Sequence, residues 1–141
     1  MMKRAYEELL IGAYPTIYHT LEPRLPGGER FECGDGWYAI VEELSEELEA
    51  IARAGGQNRL NVVQVKEKLA ALRVYFDRPA PEKAIAIVDA AIRKSRVTCE
   101  FCGAPGELSR YREGWLKTLC GKCATPARTR TQAQGLSKAR V

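Results

Sequence analysis

The sequence predicts an α+β chain, with a mainly helical N-terminal body over residues 1–98 and a small cysteine-bounded β-hairpin unit over 99–123. Three observations carry this reading. Two stretches, 37–54 and 82–96, repeat apolar residues at helical spacing. Two Cys-x-x-Cys pairs, Cys99/Cys102 and Cys120/Cys123, flank seventeen residues rich in strand formers. After Cys123 the composition turns basic and poor in apolar residues, which predicts a disordered tail over 124–141.

In chain order, Lys3–Gly12 reads as a helix, with Tyr6, Leu9, Leu10 and Ala13 at helical spacing. Tyr14-Pro15 ends it, because the residue before proline is pushed out of the α region. Residues 16–34 hold Pro23, Pro26 and Gly27-Gly28 and read as ordered loop, with Asp35 as candidate N-cap of the next helix. In Trp37–Ala54 the stripe is Trp37, Ile40, Val41, Leu44, Leu48, Ile51 and Ala52. Glu42, Glu43, Glu46, Glu47 and Glu49 fall on the other faces and read as a solvated surface, and Gly55-Gly56 stops the helix. The segment from Leu60 splits into a helix to about Leu69, on the spacing of Val65, Leu69 and Leu72, and a strand Leu72–Phe76. Arg78-Pro-Ala-Pro81 is a break. Glu82–Arg96 is a second helix with Ile85, Val88, Ala91 and Ile92 inward, its basic end suited to the helix dipole.

The cysteine spacing falls within the C-x2-C-x15–20-C-x2-C pattern of zinc sites. Two residues between cysteines let a tight turn aim both sulfurs at one point, and Gly103 and Gly121 supply backbone freedom for such knuckles. Between them, Glu107–Tyr111 and Trp115–Leu119 read as strands joined by Arg112-Glu113-Gly114, giving a zinc ribbon. A disulfide pair would need an oxidising compartment, and a thioredoxin-type motif explains one Cys-x-x-Cys but not two. Four thiolates fill a tetrahedral shell, so the expected Zn2+ is structural rather than catalytic.

Charge divides the same way. Residues 1–98 carry 14 Lys/Arg against 15 Asp/Glu, and residues 99–141 carry 8 against 3. A mildly basic C-terminal end suits nucleic acid or an acidic protein face. Arg110, Arg112, Lys117 and Lys122, with Arg128 and Arg130 of the tail, are the candidate nucleic-acid contacts. Trp115 is expected to cover the knuckles and pack on helix 82–96. Cys33 reads as a small core hydrophobe, and His19 has no partner set that would make a catalytic dyad. No metalloprotease, phosphate-loop, nucleophile-elbow or deaminase motif is present, so the chain reads as non-enzymatic. No run of eighteen apolar residues predicts a membrane span, and Glu7 and Glu8 interrupt any signal-peptide core. With reduced cysteines, this predicts a cytoplasmic protein.

GDGWY (34–38), QVKEK (64–68), LRVY (72–75) and CEFCGAPGEL…GWLKTLCGKC (99–123) together resemble a family of small tailed-phage and prophage proteins. In that family a Tyr-Pro after the first helix, CGDGWY, KEKFG-LRFY and a C-terminal CExCG…GWxKTLCxxC ribbon occur in this order. The similarity covers about residues 6–123. Leu69-Ala70 stands where the family has Phe-Gly, a departure that bears on the strand start near Leu72. The resemblance implies zinc ligation by Cys99, Cys102, Cys120 and Cys123 and a phage setting; it implies no catalytic role. Two functions follow as expectations. One is a protein that binds a host macromolecular complex, for instance inhibiting a CRISPR-type defence nucleoprotein. The alternative is a zinc-ribbon DNA- or RNA-binding regulator that uses the basic end.

Overall fold

The computed structural model describes residues 1–56 and 59–124; the predicted tail, with Arg128 and Arg130, lies outside the described residues from 125 onward. The elements run α1 (Arg4–Ala13), α2 (Pro15–Tyr18), β1 (Phe31–Glu32), a 3-10 turn (Asp35–Trp37) and α3 (Tyr38–Arg53). Then come β2 (Val62–Lys68), β3 (Ala71–Phe76), α4 (Glu82–Ser95), β4 (Glu107–Arg110), a 3-10 turn (Arg112–Gly114) and β5 (Leu116–Leu119). The body is thus α+β, with one sheet ordered β1-β2-β3 and a separate two-stranded sheet β4-β5.

Helix α3 organises the body. Its stripe buries Ile40, Val41, Leu44, Leu48 and Ala52 as expected, against α2 on one side and α4 on the other. Trp37, Tyr18, Phe31, Val62, Val65, Leu72 and Val88 complete the same core. Burying side chains of this size contributes roughly 1.5–3 kcal/mol each before ordering entropy is set against it. Sheet and helices meet where α4 packs on β3, and Leu72 N–H donates to Ser95 Oγ (3.0 Å).

Several expectations are corrected. Residues 62–68 form a strand, not a helix. Val62, Val63 and Val65 are β-branched and stiff at χ1, and Val65 lies between β1 and β3, opposite Phe31 and Val74. Tertiary pairing overrides the helical spacing. Leu69 and Ala70 form the hairpin turn, both at positive φ (53° and 68°), so β3 starts at Ala71, just before the expected Leu72. The stretch 16–34 is not all loop: Pro15 starts α2, as suits a residue with no N–H to satisfy, and Phe31–Glu32 pairs in parallel with β2.

Two buried carboxylates explain these elements. Glu49, on α3, is buried rather than solvated. It accepts from Thr16 N–H and Ile17 N–H (both 3.1 Å), capping α2 from outside, and from Arg53 Nε (3.2 Å). Glu7 does the same for β1, accepting from Arg30 N–H (2.7 Å) and Phe31 N–H (2.9 Å). Asp35 does not cap α3; its carboxylate accepts from Lys3 N–H (2.7 Å). On α4, Ala84, Val88 and Ala91 face inward, and Ile85 is exposed.

Candidate metal centre

The four cysteines converge. Their sulfurs all lie within 4.8 Å of one another, and Cys102 Sγ sits 3.6 Å from Cys120 Sγ. A metal–sulfur bond of about 2.3 Å in a tetrahedron separates ligand sulfurs by about 3.8 Å, so the spacing fits one metal ion. Cys99 is buried, Cys120 and Cys123 are half-buried, and Cys102 is exposed.

Each knuckle is built locally. In the first, Cys99 N–H donates to Ala104 C=O (2.7 Å) and Gly103 N–H to Cys99 C=O (2.9 Å), closing a turn in which Gly103 takes φ 86°. That conformation costs glycine nothing and other residues about 1–2 kcal/mol. In the second, residues 121–124 form a helical turn, so Gly121 does not use a positive φ there. Ala124 N–H donates to Cys120 C=O (3.1 Å), and Cys123 N–H points at Cys120 Sγ (3.3 Å). That N–H lowers the Cys120 thiol to about 7, while burial pushes the Cys123 thiol up. An N–H donated to sulfur favours the thiolate, which is the form that ligates metal.

The body grips the first knuckle through residues the cysteine pattern alone does not single out. Gly36 N–H donates to Glu100 C=O (2.8 Å), and Gly34 N–H to the buried Glu100 Oε2 (3.0 Å). Trp37 Nε1 donates to Thr98 C=O (2.8 Å). A Cβ on Gly36 would stand 2.2 Å from Cys99 O and 2.7 Å from Cys102 N. The repeated glycine in Gly34-Asp-Gly36-Trp37 was the available signal, since paired glycines mark a close backbone approach. On the other side, Thr118 Oγ1 donates to Ala70 C=O (2.7 Å), and Glu100 N–H to Thr118 C=O (2.9 Å).

The candidate cations are distributed unequally. Lys117 is committed to the body. Its Nζ lies 3.1 Å from Glu100 Oε1 and 3.4 Å from Glu67 Oε1, with the side chain only 17% exposed. Burial opposes its charge, but the two carboxylates more than offset that and hold its pKa above the usual lysine range. Arg110, Arg112 and Lys122 are exposed, with Arg112 stacked 5.6 Å over the Tyr111 ring. Trp115 does not cover the knuckles; it is 63% exposed, and the buried indole at this junction is that of Trp37. Tyr111 packs instead with Cys99, Leu119 and Ala124, and edge-on to Phe101 (5.4 Å). Cys33 is buried in the body core as expected, and burial pushes its thiol far up. Among the described residues, no helix is long and apolar enough to cross a membrane. No family model matches the chain, and neither a curated protein nor a solved structure matches it.

Proposed function

We propose that the chain is a zinc-stabilised, non-enzymatic binding protein of the phage or prophage type that docks on a host macromolecular complex in the cytoplasm. One concrete form is an inhibitor of a defence nucleoprotein. The observation that carries the reading is the pairing of a closed four-sulfur shell with an exposed hairpin. The shell leaves no position for substrate. The hairpin it holds presents Leu108 and Trp115, each 63% exposed, on a rigid base. Exposed aromatic and apolar groups rimmed by polar ones are what protein interfaces use as anchors. Four sulfur ligands suit zinc among the common metals.

Within residues 99–124 charge favours a protein partner over nucleic acid; the cations that would favour nucleic acid lie in residues 125–141, which carry 4 Lys/Arg and no Asp/Glu. Residues 99–124 carry 4 Lys/Arg against 3 Asp/Glu. A zinc tetrathiolate adds about −2 by the charges of its ligands, leaving this unit near neutral. The acidic outer face of α3, with Glu42, Glu46 and Glu47 exposed and Glu43 paired to Lys94 (2.6 Å), adds a surface of negative charge. The test is affinity capture from host lysate with the zinc-loaded, C-terminally tagged chain. Stoichiometric recovery of one complex is the expected result, and no specific partner counts against the reading.

The nucleic-acid reading retains one specific observation: Arg110, Arg112 and Tyr111 stand together beside exposed Trp115, a cation-and-aromatic set of the kind that stacks bases. It requires binding that weakens steeply with salt and drops when residues 125–141 are removed. A titration at two salt concentrations decides it.

A further inference from the structure

The two edges of the β4–β5 ladder differ. Tyr111 N–H donates to Trp115 C=O (2.6 Å). By two-residue alternation, Ser109/Lys117 and Glu107/Leu119 are the other hydrogen-bonded pairs of the register. Leu108/Thr118 and Arg110/Leu116 are then the non-bonded pairs, whose N–H and C=O groups point away from the ladder. On β5 the outward Thr118 C=O is taken, since it accepts from Glu100 N–H, which brings the 99–100 segment against that edge. On β4 the outward groups of Leu108 and Arg110 meet no described residue.

The same side of this chain is paired a little upstream. Gly106 N–H donates to Val97 C=O (2.9 Å), beside the bridge Thr98–Pro105. The pairing cannot continue, because residues before Val97 belong to the end of α4. A row of backbone donors and acceptors is therefore left open beyond Gly106. Its flanking side chains are Leu108 (63% exposed), Val97 (62% exposed) and the exposed Arg110 and Arg112.

We propose that β4 is a docking edge to which an extended segment of a partner protein adds as an antiparallel strand. The incoming strand places an acidic side chain opposite Arg110 and, two residues later, an apolar one opposite Leu108. Main-chain bonds supply affinity and alternate side chains supply choice, as in strand-addition complexes generally. Charge sets the occupant: Arg110, on the face of Leu108, and Arg112 beside it select an acidic side chain, whereas a second copy of this chain paired about Ser109 would set Leu108 opposite Arg110 and bring no acid there. The inference rests on the reading of the chain as a protein-binding module and names the surface.

The test uses the full zinc-loaded chain and two fluorescent peptides, TTETVTT and TTKTVTT, followed by polarisation. The glutamate peptide binds, and the lysine peptide binds about tenfold more weakly. Leu108→Pro abolishes binding, because proline removes the outward N–H without touching a bond of the hairpin itself. Zinc content checks that this variant folds. Should it not, Arg110→Glu keeps the proposal testable, since it inverts the preference toward the lysine peptide. No binding of the glutamate peptide to wild type overturns the proposal, as does equal binding of both peptides. Binding seen only after removal of 125–141 also overturns it, the edge then belonging to the chain's own end. Host-complex capture unchanged in Leu108→Pro sinks the edge and leaves the module standing, whereas no capture by any zinc-loaded form sinks the module.

Discussion

Gly36→Ala adds one methyl group to the body, yet its effect is expected at the metal centre. The new Cβ would stand 2.2 Å from Cys99 O, 2.6 Å from Gly103 N and 2.7 Å from Cys102 N, all backbone atoms. Real Cβ atoms keep at least 3.0 Å from such neighbours, so the knuckle and the 34–37 segment must part by at least 0.8 Å. Parting by that much stretches the 2.8 Å bonds of Gly36 N–H to Glu100 and of Trp37 Nε1 to Thr98 to about 3.6 Å, beyond bonding distance. The Gly34 bond to Glu100 Oε2 goes with them. Three bonds at about 1 kcal/mol each, with partial re-exposure of Trp37, amount to roughly 3–5 kcal/mol. At this chain length that corresponds to a fall in Tm of about 10–15 °C. Differential scanning calorimetry of the zinc-loaded variant measures it, with Trp37 fluorescence reporting on the junction. Gly12→Ala is the control: it lies in α1 with nothing within 4 Å of its Cβ, so alanine there stabilises by about 0.8–1 kcal/mol. A Gly36→Ala protein within about 0.5 kcal/mol of wild type, the range of featureless surface changes, would refute the idea that the body rests on the knuckle.

Chelation, or Cys99→Ser, is expected to unfold residues 99–124 and redden Trp37 emission, because Thr98 and Glu100 lose their fixed positions; unchanged ellipticity and Tm after metal loss contradict this. Leu69→Asn is expected to stabilise by about 1 kcal/mol, since Leu69 is 66% exposed at φ 53° and asparagine tolerates the left-handed region better. A lowered urea midpoint would show that the turn carries no such strain. Glu49 supplies a pH dependence. Burial opposes its charge, but hydrogen bonds from Thr16, Ile17 and Arg53 prevail and hold its carboxyl below the ordinary 4.5. A depressed folded pKa gives stability that is complete above the unfolded value and lost as the pH falls through the folded one. Tm of wild type is therefore expected to drop more steeply below 4.5 than that of Glu49→Gln, and parallel curves would exclude the mechanism.

The legible parts of this chain were those governed by local rules. Four sulfurs converge because Cys-x-x-Cys is itself a geometric instruction, and α3 forms because its stripe recurs at one period over its whole length. What sequence reasoning missed depended on distant partners. Val65 and Leu72 share helical spacing with Leu69, and only pairing with Phe31 and across the hairpin makes 62–68 a strand. The turn went unseen because Leu69-Ala70 carries no glycine or asparagine where both φ angles are positive. Glu49 resembles its solvated neighbours in composition, and nothing local reveals the two amides of α2 that draw it inward. Trp115 misses its expected place over the knuckles for the same reason, and Trp37, buried in the core as expected, fills that place as well. Each is an aromatic beside glycine, and which one meets the knuckle is decided by chain reversal, not by sequence neighbours.

The grip of Gly34, Gly36 and Trp37 on residues 98–100 also orders events during synthesis. Those three donors lie in the first third of the chain, and their acceptors lie beyond the last helix of the body. In a nascent chain that has released α1 to α4 from the ribosome, the two amides and the indole N–H have only water to bond, because the atoms that cover Gly34 and Gly36 belong to residues 99–103. The body then lacks three protein bonds worth about 1 kcal/mol each, so it stays unfinished until that segment emerges. If the four sulfurs take up a metal ion, completion would wait on that ion as well, and its supply would bear on how much of the protein matures.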